Sequence, residues 1–127
     1  MGLILDSTVL VHAERQGLNA RHALLAVMEK VGSIEVGISV TTALELAHGL
    51  MRADSVERKK RRQDFLDEVL SVVPVYPVTL AIALRAGQID GASTARGVRI
   101  ALPDLLIGVT ALEAGIAWLR PMCGTLG

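Results

Sequence analysis

The sequence predicts an α/β fold: a short, mostly parallel sheet of about four strands flanked by helices in three layers. Three observations lead there. Hydrophobic residues make up 51% of the 127, and mean hydropathy is +0.47. Yet the longest stretch without a charge, Val69 to Leu84, is broken by Pro74 and Pro77, whereas a membrane-spanning helix needs about 20 uninterrupted apolar residues. High apolar content without a span is the mark of a sheet buried on both faces. Short apolar runs also alternate with segments of helical period, as parallel strands joined by helices require.

Each element has its own signal. Gly2-Leu3-Ile4-Leu5 is a continuous apolar run, and Asp6-Ser7-Thr8 breaks it into a helix cap. Leu24, Val27, Met28 and Val31 repeat at helical spacing, so a helix is expected from about Asn19 to Val31 with Gly32 as terminator. Val36 to Val40 reads as a second strand, and Thr41-Thr42 open a helix carrying Leu44, Leu46 and Leu50. Ser55 caps a longer helix with a charged outer face and a stripe of Phe65, Leu66, Val69 and Leu70. Val72 to Tyr76 is expected as a third strand, and Thr79 starts a helix reaching Gly97. Pro103-Asp104 begins a helix ending near Gly115, and Ile116 to Leu119 closes as a fourth strand. There is no repeat or linker, so residues 1–127 are expected to form one domain.

Composition removes whole classes of function. Thirteen Lys and Arg balance thirteen Asp and Glu, which argues against nucleic-acid binding by bulk charge alone. Phe65, Tyr76 and Trp118 are the only aromatics, too few for a base-stacking platform. Cys123 is alone, so neither an internal disulfide nor a cysteine-based zinc site can form, and a reducing cytoplasm is the expected setting. The N-terminus lacks a basic region and Asp6 interrupts its apolar run, so no signal peptide is expected. Serine hydrolases, P-loop enzymes and dinucleotide binders have no supporting motif.

Open parallel sheets carry their sites at the carboxyl ends of strands, and three acids stand in such places. Asp6 directly follows the first strand, Glu45 lies in the first turns of the helix after the second, and Asp104 begins the last helix. If the strands lie side by side, the three converge. Converging carboxylates repel, and a hard divalent cation is the natural way to hold them ionised. With no Cys or His beside them, Mg²⁺ or Mn²⁺ is the expected guest, able to activate water at a phosphodiester. Each acid also has a structural role open to it. Asp6 can cap the first helix, Glu45 completes a T-x-x-E capping box with Thr42, and Asp104 suits a helix N-terminus. Asp104, Gly108 and Ala111 share one helix face, which leaves room beside the carboxylate.

The order and spacing of these segments resemble the PIN-domain family, particularly the VapC-type ribonuclease toxins of bacterial toxin–antitoxin pairs. The segments are Leu3-Ile4-Leu5-Asp6-Ser7-Thr8-Val9-Leu10, Ile38 through Leu46, Ala86-Gly87-Gln88-Ile89, Gly97-Val98-Arg99-Ile100 and Asp104 through Leu112. The resemblance covers about residues 1–115. It implies a PIN-like three-layer sheet, a Mg²⁺- or Mn²⁺-dependent endoribonuclease site, an antitoxin partner and a homodimer. By position, Asp6, Glu45 and Asp104 match the family's first three acids, as catalytic residues and metal ligands, and Ser7 matches its small hydroxyl residue. The tail departs from the pattern: residues 116–127 hold no Asp, Asn or Glu, where the family places a fourth polar residue. Glu113 cannot replace it, lying nine positions past Asp104 and about half a turn around the helix.

The remaining signals leave alternatives open. Arg58-Lys59-Lys60-Arg61-Arg62 can contact RNA phosphates, or form a solvated helix face balanced by Asp64, Asp67 and Glu68. His12, His22 and His48 share no ligand or triad spacing and are expected at the surface, as is Asp90. A PIN scaffold that lost turnover with its tail, and now binds protein or RNA, is the alternative function. A haloacid-dehalogenase-type phosphotransferase is disfavoured, because Thr8 stands where that D-x-D-x-T motif has its second acid.

Overall fold

The structure is a computed structural model that describes residues 2–32 and 34–119. The atypical stretch 116–127 is therefore described only as far as Leu119. Among the described residues the order is β1 (Gly2–Leu5), α1 (Ser7–Arg15), α2 (Ala20–Val31), β2 (Glu35–Ser39), α3 (Val40–Met51), α4 (Val56–Val72), β3 (Val75–Tyr76), α5 (Leu80–Ala95), α6 (Leu102–Ala114) and β4 (Ala117–Leu119). The four strands form one sheet in the order β3-β2-β1-β4, and every pair is parallel. The α/β expectation holds.

The alternation of side chains along β1 sorts the layers. Leu3 and Leu5 point to one face, into a core with Leu10, Val27, Ile38, Phe65 and Val69 from α1, α2, β2 and α4. Ile4 points to the other face and meets Ile107 and Ala111 of α6, with Trp118 alongside. All of β1 is buried, which is why it reads as a continuous apolar run. Gly37 of β2 lies on the Ile4 face, where an added Cβ would stand 2.5 Å from the Tyr76 ring and 3.0 Å from the Pro74 carbonyl oxygen.

Helix starts follow the expected caps at four places. Asp6, Asn19, Ser55 and Thr79 each accept a hydrogen bond from a backbone N–H in the first turn. Gly115 closes α6 in the left-handed region at φ 68°. Two boundaries differ from expectation. The cap of α3 is Ser39, whose Oγ accepts from the Thr41 N–H at 3.0 Å, so Thr42 lies inside the first turn and makes no capping box with Glu45. And α4 runs on through Val72, leaving β3 only Val75 and Tyr76, because Pro74, not the valines before it, ends the helix. No described helix is long and apolar enough to cross a membrane.

Candidate active site

The strand order sets where a site can lie. From β1 the chain steps to β2 and β3 on one side, then crosses to place β4 on the other. The carboxyl end of β1 is thus the topological switch point, where parallel sheets open a crevice. Asp6 stands there, one residue past the Leu5–Ile38 and Leu5–Leu119 pairings.

Its side chain is 3% exposed and its two oxygens have different fates. Oδ2 caps α1, accepting from the Thr8 N–H at 3.3 Å and from the Thr8 hydroxyl. Oδ1 is buried and accepts nothing among the described residues. The cap accounts for only half of the carboxylate. A buried acceptor without a partner costs about 1–3 kcal/mol, more when charged, and such groups are rare in native proteins. Ser7 is buried beside it.

Glu45 lies on the second turn of α3, half-buried, and its Oε1 is likewise buried without a partner among the described residues. It lines a hollow of about 180 Å³ with Val11, Glu14, Arg15 and Arg62. One turn earlier on the same helix face, Thr42 is fully buried and its hydroxyl has no partner among the described residues. The T-x-x-E pattern suggests a capping role for Thr42; its orphaned hydroxyl is a feature that only the position of the cap at Ser39 brings out.

Asp104 is half-buried in the first turn of α6. It faces a different hollow, shared with Gly108, Ala111 and Trp118. The small residues do leave space on this face, and the indole of Trp118 enters it: a Cβ on Gly108 would stand 3.0 Å from the ring. Helix α3 packs against both α1 and α6, so the elements bearing Asp6, Glu45 and Asp104 are neighbours. As the side chains stand, however, no group of three or more His, Cys, Asp or Glu among the described residues is gathered to hold a metal ion. The acids surround one end of the sheet without forming a cage.

The other candidates separate cleanly. Glu113 forms an ion pair with Arg85 of α5. His12, His22, His48 and Asp90 are exposed. Of the basic run, Arg62 is held by Glu14 at 3.8 Å and donates to the Gly49 carbonyl at 2.6 Å, while Lys60 pairs with Asp64 at 3.5 Å on the surface.

A family model decides the wider question, since the PIN domain matches residues 3–120. The chain belongs to the PIN-domain family. No characterised protein with a curated sequence matches it significantly. Among solved structures, this PIN domain is similar to VapBC2 from Rickettsia felis, solved bound to a DNA fragment from their promoter, with a TM-score of 0.76 and 21% identity over 94% of this chain and 87% of that one. It is similar to FitAcB from Neisseria gonorrhoeae, with a TM-score of 0.75 and 23% identity over 94% of this chain and 88% of that one. It also resembles VapBC-5 from Mycobacterium tuberculosis, a member of the VapBC family of toxin–antitoxin systems, with a TM-score of 0.68 and 20% identity over 99% of this chain and 91% of that one. At these identities the likeness is one of fold.

Proposed function

We propose that this PIN domain is a divalent-metal-dependent endoribonuclease, the toxin of a bacterial toxin–antitoxin pair, acting in the cytoplasm. The observation that carries the proposal is the Asp6 Oδ1 atom, buried and unsatisfied at the switch point of the sheet. A fold does not leave a buried carboxylate oxygen idle without cause, and with Glu45 Oε1 it offers the hard donors that Mg²⁺ or Mn²⁺ prefers. Asp6 and Glu45 would hold the ion, with Asp104 completing the set after side-chain adjustment.

When bound, the ion supplies activation of water and charge neutralisation at phosphorus. The chain's own residues do the rest. Thr8 fixes the Asp6 carboxylate through Oδ2, so that Oδ1 is presented in one orientation. Asp6 and the adjacent Ser7 are both buried, which limits the access of bulk water to that oxygen. The antitoxin and a second copy of the chain are the protein partners in this proposal. Leu80, Leu84 and Leu112, exposed on α5 and α6, support an apolar contact between copies.

Incubation of purified protein with mixed structured RNAs in Mg²⁺ or Mn²⁺ tests it, with EDTA and Asp6→Ala as controls. Cleavage lost in both controls is expected. One observation favours a second function, a PIN scaffold that binds protein or RNA without turnover: the three acids do not gather into one group. Folded protein that leaves RNA intact under all conditions selects that alternative.

A further inference from the structure

Beyond the acids, the described surface holds one concentrated cationic hollow. It has a volume of about 370 Å³ and is lined by Glu14, Arg15, Arg58, Arg61 and Arg62, with no apolar residue. Positions 58, 61 and 62 fall on one face of α4 by helical spacing, which leaves Lys59 and Lys60 outside the hollow. Arg15 comes from the last turn of α1, and no local pattern in the sequence joins it to α4. Glu14, Arg15 and Arg62 also line the recess that contains Glu45. The cationic hollow and the Glu45 recess are thus adjoining chambers with a shared wall.

The arginines are not equivalent. Arg62 is committed to Glu14 and to the Gly49 carbonyl, and it braces the wall. Arg58 pairs with Asp54 in solvent, a contact of small energetic value. Arg15 and Arg61 are exposed and have no ion-pair or hydrogen-bond partner among the described residues. The nearby acids are already engaged: Asp64 by Lys60, Glu68 by the Ala20 N–H at 2.6 Å, and Glu14 by Arg62. Two uncommitted guanidinium groups in a polar hollow are built for oxyanions, which they grip in a planar, bidentate manner.

We propose that this hollow binds phosphate groups of the RNA strand that passes Glu45, and that Arg15 and Arg61 make the contacts. The identity of the strand rests on the nuclease proposal; the anion site does not. Its continuity with the Glu45 recess favours RNA over an acidic peptide.

The test measures binding of a fluorescent single-stranded RNA to the full chain in EDTA, where no cleavage occurs, across a range of salt. Arg15→Ala with Arg61→Ala is expected to weaken binding about tenfold and to make the plot of log affinity against log salt shallower by about 1.4, for two lost phosphate contacts. Arg52→Ala with Lys59→Ala removes the same charge outside the hollow, without freeing Asp64 from Lys60, and is expected to leave the slope near that of the wild type. Both pairs are exposed, so both doubles should melt as the wild type does. Equal losses from the two pairs overturn the proposal. So does binding of poly-glutamate through Arg15 and Arg61 with RNA affinity unchanged, which assigns the hollow to an acidic peptide. RNA bound through Arg15 and Arg61 but never cleaved sustains the hollow and removes the nuclease function. Cleavage with kcat/KM unchanged in the Arg15, Arg61 double does the reverse.

Discussion

The two sides of this molecule are finished to different degrees. On the side of α1, α2 and α4, Leu3, Leu5, Leu10, Ile38, Phe65 and Val69 close a continuous core, and Asp6, with Glu45 and Thr42 of the adjoining α3, brings buried oxygens that have no partner among the described residues. On the side of α5 and α6 the core is divided between Ile82, Ala86, Leu105 and Val109 and Ile4, Ile107 and Ala111, and apolar side chains stand outside it, with Leu80 74% and Leu84 59% exposed. The contrast separates two kinds of work. Buried oxygens without partners suit chemistry on a bound ion, whereas exposed leucines on neighbouring helices suit association.

The largest expected effect breaks the chemical side. Asp6→Ala should lower the rate of RNA cleavage by about 10²–10³-fold, the scale of losing one electrostatic contributor to a transition state. Its melting temperature should change little, since loss of a cap worth about 1 kcal/mol is offset by removal of a carboxylate oxygen that has no partner. Rate and melting curve measured on one preparation check both halves.

The associating side should break separately. If two copies associate through α5 and α6 as proposed, Leu84→Asp should shift the mass in light scattering from dimer to monomer, weakening self-association by about 1.5–3 kcal/mol, with the fold intact because the side chain is exposed. An unchanged mass would take α5 out of the interface.

Smaller effects test the frame on which both sides rest. Gly37→Ala drives a Cβ against the Tyr76 ring and the Pro74 carbonyl oxygen, and should cost about 1–3 kcal/mol in urea unfolding. Ser39→Ala should cost about 1 kcal/mol by removing the cap of α3. Thr42→Val, three residues on, should be neutral or stabilising, because the hydroxyl it removes is buried without a partner. The opposite order would return the cap to Thr42.

Much of the frame was legible because its signals are local. β1 is continuous and apolar because both its faces are covered, and Asp6, Asn19, Ser55 and Thr79 announce helix starts by chemistry confined to one turn. Errors arose where two local signals competed. Ser39 and Thr42 are both good caps, and only strand β2 ending at Ser39 decides between them. Val72 and Val73 favour a strand by type, but α4 continues through Val72 until Pro74 stops it. The acids were recognisable from their places after strands and at helix starts. Their separate hollows were not, since Glu45 shares its hollow with Val11 and Glu14 of α1 and Asp104 shares another with Gly108 and Trp118, neighbours set by tertiary packing. Arg15 was invisible for the same reason: its partners in the cationic hollow lie on α4, more than 40 positions away.

The most direct test of the central claim is the binding of Mn²⁺ to the wild type and to Asp6→Asn, measured as the rise in melting temperature with metal concentration. If Asp6 Oδ1 is unsatisfied because it serves a metal ion, the wild type should be stabilised by about 2.7 kcal/mol at a hundred times the dissociation constant, and Asp6→Asn should lose that response. Equal stabilisation of the two proteins, or none of either at millimolar Mn²⁺, would contradict it.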